Sequence, residues 1–148
     1  MKVQRGTMSI AADEVERVAQ AFLNGVQRDL EELGGIDVCR IDPLRQSKDF
    51  AIAVFDAVAV ILARGYQSEA LDYETADWIA NVVQGEMLEL MMQLQPGQWH
   101  IDTPQNWSEV YEAFDAGEFD HFGRSQDPIG EFTKPGIEAF LDRVRNRG

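Results

Sequence analysis

Between Gly65 and Gly123 the chain has no lysine and no arginine, although these 59 residues carry twelve carboxylates. Protein surfaces normally intersperse both signs, so such a stretch sustains a negative field that attracts cations and basic proteins and repels nucleic acid and anionic lipid. Cysteine is almost missing as well. The single Cys39 excludes an intramolecular disulfide and a multi-cysteine metal site, and nothing argues for an oxidising compartment. Cys39 is expected to be a small loop or core residue. With only two histidines, His100 and His121, most metal and acid–base schemes are poorly supplied. No long hydrophobic run exists: Phe50 to Ala63 is the longest, and it is too short and too interrupted by Asp56 to span a bilayer. The segment Met1 to Met8 is too short and too polar for a signal peptide. Met8 is a second candidate start, residues 1–9 are expected to form a flexible leader, and the cytoplasm is the expected location. A Gly-rich phosphate loop, a Gly-x-Ser-x-Gly elbow and internal repeats are also absent.

What is present is enough for one domain. At 148 residues with 45% apolar side chains and a net charge of -13, the chain can bury about 70% of its unfolded surface without a covalent staple. Val15, Val18, Phe22, Val26, Leu30 and Leu33 recur at steps of three and four, which predicts an amphipathic helix from Ile10 to Leu33, ended by Gly34-Gly35. Asp42-Pro43 marks an irregular connection. A second helix, Leu44 to Arg64, is apolar around most of its circumference and therefore central, with Gly65 as its stop. Its narrow polar or small-residue stripe includes Asp49, Asp56 and Arg64. Asp56 is expected at the bundle edge or against an arginine, with a pKa raised where it nears the core. Asp72 is the expected cap of a third helix, Tyr73 to Leu94. Thr103-Pro104 supplies a cap and first-turn proline for a shorter helix carrying Trp107, Val110, Tyr111 and Phe114, ended by Gly117. Glu118 to Phe132 reads as loop with one helical turn. From Thr133, Ile137, Phe140, Leu141 and Val144 give a last helix whose terminal arginines complement its dipole. The expected fold is all-α: a single-domain bundle of about five helices over residues 1–148.

Two acidic pairs, Glu86-x-x-Glu89 and Glu109-x-x-Glu112, fall on successive helices, and oxygen ligands at this spacing suit Mg²⁺ or Mn²⁺. The pattern resembles that of the all-α nucleoside triphosphate pyrophosphohydrolases, and the resemblance implies metal-dependent nucleotide hydrolysis. Glu112 stands where that pattern has Asp, and Gly85 where it has an acid. On the third helix Glu89 lies roughly 130° from the centre of the apolar face, and Glu109 and Glu112 lie opposite Trp107 and Phe114. A bundle metal site needs inward carboxylates, so the hydrolase is the alternative expectation. Glu118-x-x-His121 matches one copy of a di-iron motif that requires two. No cofactor is expected.

Trp107 to Phe122 alternates five aromatics with five carboxylates and contains no cation. Aromatics give contact area at low entropic cost, and carboxylates steer and capture Lys and Arg. Trp107, Tyr111 and Phe114 are the expected core anchors; Glu109, Glu112, Asp115, Glu118, Phe119, Asp120 and Phe122 are the candidate partner-binding residues. In size, charge, helical character and this stretch, followed by Asp127-Pro128 and Thr133-Lys134-Pro135, the chain resembles the small acidic immunity proteins that bacteria make against toxins, especially basic nucleases. The resemblance implies a non-catalytic inhibitor that blocks a positive nucleic-acid cleft. The expected partners are a basic protein, concretely a nuclease toxin, and a second copy of the chain as a homodimer; nucleic acid and membrane are not expected.

Overall fold

Helix α1, Ala12–Leu33, opens the part of the chain that the computed structural model describes, residues 11–147. The expectations for a leader and for Met8 as the start lie outside those residues. Val15, Ala19, Phe22, Leu23, Val26 and Leu30 of α1 are buried, while Leu33 at its end stands in solvent. Gly34 closes the helix in the left-handed conformation, φ 73°, and donates to the Leu30 carbonyl at 3.1 Å. The connection that follows is tied back by one buried acid. Asp29 accepts two bonds from the Arg40 guanidinium, both at 2.8 Å, and a third from the Asp37 N–H. The guanidinium holds its carboxyl below the usual range.

The second helix starts later than its apolar pattern suggests. Asp42–Leu44 forms a 3-10 turn, and α2 runs Lys48–Gln67, because Ser47 caps it by accepting from the Phe50 N–H at 3.0 Å. Gly65 does not stop α2. It lies inside the helix, where a Cβ would sit 3.1 Å from Leu71, so the glycine serves a close approach. The reversal occurs two residues past the end of α2, at Glu69 with φ 68°. As expected, α2 is central: it packs against all four other helices, and Val54, Phe55, Val58 and Leu62 are fully buried.

Helix α3, Tyr73–Leu94, is capped by Asp72, which accepts from the Thr75 N–H at 2.8 Å. Gln95 exchanges two hydrogen bonds with the backbone of Asp102, whose carboxylate pairs with Lys48 at 2.7 Å. That staple delivers the chain to α4, Gln105–Ala116. Here the expected Thr103 cap is replaced. Pro104 occupies the cap position without a side-chain acceptor, and Asp56, reaching across from α2, accepts from the Trp107 N–H at 3.2 Å and also from the Asn106 N–H. Half-burial raises the Asp56 pKa, and those two backbone bonds oppose the rise.

A single π-helical turn, Ile129–Thr133, leads without a break into α5, Lys134–Arg147, which buries Ile137, Phe140 and Leu141. Asp127 starts this turn by accepting from the Gly130 N–H at 3.1 Å. The described residues thus form an all-helical bundle of five helices, with no strand among them and no helix long and apolar enough to cross a membrane.

Candidate functional site

The end of α4 shows how the acidic and aromatic segment is presented. Trp107, Val110 and Phe114 are fully buried, and the indole N–H of Trp107 donates to Gln84 at 2.8 Å, which fixes the rotation of the helix. Its last carbonyls have no intrahelical donors. The Gly117 and Glu118 N–H groups reach the Phe114 and Asp115 carbonyls, both at 3.0 Å, and three side chains donate as well: Thr133 to Ala113 at 2.7 Å, Tyr73 to Phe114 at 2.7 Å, and His121 Nε2 to Ala116 at 2.8 Å. A carbonyl only accepts, so His121 carries its proton on Nε2. Gly117 gives the two hydroxyls room, since a Cβ there would come within 2.9 Å of the Tyr73 oxygen.

The His121 ring lies between Phe119 and Phe132, with centroids 4.1 and 4.0 Å away. The backbone pays for this arrangement: His121 and Phe122 are left-handed at φ 54° and 62°, followed by Gly123 at 82°. A left-handed conformation costs about 1–2 kcal/mol at a non-glycine residue and is an outlier for one as bulky as Phe. The turn leaves Phe122 96% exposed and Phe119 47% exposed. It is closed by the Ser125 N–H on the Asp120 carbonyl at 3.0 Å, while the buried Ser125 hydroxyl meets Glu131.

Beside this loop three carboxyls converge without a cation. Asp77 on α3 lies within hydrogen-bond reach of Glu118, with Asp115 adding a third charge. Asn81 donates to Glu118 at 2.9 Å, and Asp77 Oδ1 is buried without a partner. Burial, then the Glu118 carboxylate, pushes the Asp77 pKa up to about 7. Burial followed by the same acids raises the Tyr73 phenol strongly and the Tyr111 phenol to a lesser degree. Two carboxyls this close share a proton more readily than both ionise.

The seven candidate partner-binding residues fall into two groups. Asp115, Glu118, Phe119, Asp120 and Phe122 cluster at the end of α4 and on the loop. Glu109 turns toward α5 and pairs with Arg143, and Glu112 shares a polar depression of about 450 Å³ with Arg143 and Arg147. Glu86 and Glu89 line a different depression, of about 240 Å³, beside Arg45. The two glutamate pairs are therefore not brought to one cavity. Among the described residues no group of three His, Cys, Asp or Glu side chains is placed to hold a metal ion. Cys39 and His100 lie in exposed loops.

Sequence reasoning passed over Asp77 and the capping role of Asp56. The available signal was the Tyr73, Asp77, Asn81 spacing of four, which aligns them along one edge of α3. Comparison with protein-family models, curated proteins and solved structures finds no match.

Proposed function

We propose that this chain is a non-catalytic interaction protein, an immunity or antitoxin-like inhibitor that binds a basic partner in the cytoplasm through the acidic and aromatic end of α4. A nuclease toxin with a positive cleft is the concrete partner. The observation that carries the reading is Phe122, 96% exposed on a left-handed turn with exposed Glu118 and Asp120 nearby. A ring held in water by strained backbone contributes little to folding, and strain of this kind concentrates at recognition sites. As a rigid anchor it offers contact area at low entropic cost, and the surrounding carboxylates capture Arg and Lys around it.

Affinity capture from the lysate of the source organism, with the wild-type chain and Phe122→Ala compared by mass spectrometry, tests this. The expected result is a basic protein held stoichiometrically by wild type and weakened at least tenfold by the variant, about 1.4 kcal/mol or more. The same proteins retained equally by both chains would remove Phe122 from the interface.

A further inference from the structure

Helix α3 carries a second apolar face, on the side away from the bundle. Its buried residues include Ile79, Val83, Met87 and Leu90. At about 100° per residue, Trp78, Gly85 and Met92 fall in line on the opposite side, each seven residues from the next. Asn81 and Leu88 flank that line on one edge and Val82 on the other. Trp78, Leu88 and Met92 are 45%, 42% and 55% exposed, so roughly 21 Å of apolar helix surface stands in solvent. An exposed apolar stripe rimmed by polar groups marks an interaction surface.

Gly85 lies at the centre of the stripe. Glycine weakens a helix interior relative to alanine, and the glycines inside α1, α2 and α5 each answer to a neighbour: Gly25 to Arg40, Gly65 to Leu71 and Gly136 to Ala113. A Cβ at Gly85 would meet nothing within 4 Å. Among the described residues no contact calls for the glycine there, whereas a bulky side chain arriving from outside would use the gap it leaves.

The rims of the stripe are acidic. Asn81 donates to the Asp77 carbonyl and to Glu118, both at 2.9 Å, which holds Glu118 along the Asn81 edge. Glu86 and Glu89 stand along the Val82 edge. None of these three carboxylates enters an ion pair among the described residues. Arg45, the cation beside Glu86 and Glu89, is engaged with Asp42 and Gln93. A second copy of the chain would bring the same carboxylates to the same rims and is repelled, whereas a basic segment neutralises both.

We propose that this face of α3 binds a basic amphipathic helix of a partner protein. That helix lies along α3 with apolar residues at heptad spacing, one of them seated over Gly85 between Trp78 and Met92. Its lysines or arginines reach Glu118 on one rim and Glu86 and Glu89 on the other. The inference does not rest on Phe122, and its probe is a synthetic peptide.

Two peptides of about 18 residues, roughly five helical turns, are titrated into the isotope-labelled full chain and followed by NMR. Both have leucine at the heptad a and d positions; one has lysine elsewhere and the other glutamate. The lysine peptide is expected to give saturable shifts at the Trp78 indole and at the Val82, Leu88 and Met92 methyls that weaken with added salt, and the glutamate peptide none. Gly85→Gln fills the gap and weakens binding at least tenfold without lowering the melting temperature, because its side chain meets open space and glutamine is the better helix former. Trp78→Ala removes one end of the stripe and weakens binding to a similar degree. The proposal is overturned by shifts that are absent or confined to other surfaces, by equal affinity for the glutamate peptide, or by binding that either variant retains. Self-association of the free chain in sedimentation that Gly85→Gln abolishes would also overturn it and assign the face to a second copy.

Discussion

Asp77 is a carboxyl whose burial and neighbours both favour the protonated form, so its titration bears directly on stability. Its folded pKa of about 7 lies above its ordinary value of 3.8. A raised acid contributes stability that is complete below the unfolded pKa and is lost as pH rises through the folded one. Between pH 5 and pH 8 the wild-type chain is expected to lose about 1–2 kcal/mol, allowing for solvent screening, that Asp77→Asn keeps. Thermal melts across that range check this, and parallel curves for the two proteins would contradict it. Little of this was legible in the sequence. Asp72 could be assigned as a cap because its acceptor role depends only on the next three residues, whereas Asp77 gains its character from Glu118, which reaches it only when α4 packs on α3. The loop position of Phe119 and Phe122 was readable from the glycines and proline of their segment, but the His121 stack depends on Phe132 arriving from the π-helical turn.

At the scale of elements, the helices whose ends are set locally were the legible ones. Helix α3 begins where Asp72 caps it and spans the expected Tyr73–Leu94. Helix α4 differs, since its first N–H groups are satisfied by Asp56 from α2, a partner distant in sequence. Asp56→Ala is expected to cost about 1–2 kcal/mol in urea unfolding, and Asp56→Asn, which keeps an acceptor, much less. Equal losses would show that the carboxylate charge, rather than the acceptor, holds the start of α4. Gly65 was misread for a related reason. Local rules treat a glycine as a stop, but here it answers to the side chain of Leu71, which folds back over it.

Across the whole molecule, folding neutralises little of the acidic stretch. Of its twelve carboxylates only Asp102 and Glu109 enter ion pairs among the described residues, with Lys48 and Arg143. The charge imbalance, the all-helical class and the centrality of α2 could be read from composition and periodicity, because none depends on a particular long-range contact. The division of the acids into a paired side near α5 and an unpaired end beside Phe122 could not, since it depends on how α5 crosses α4. The most direct measurement is the association rate of the captured basic protein, at low and high salt, with wild type and with a chain reversed at Glu112, Asp115, Glu118 and Asp120. The account predicts fast association at low salt that slows about tenfold or more with added salt, and a comparable slowing in the reversed chain even at low salt. A rate left unchanged by the four reversals at low salt would contradict it, and the acidic end of α4 would not be the interface.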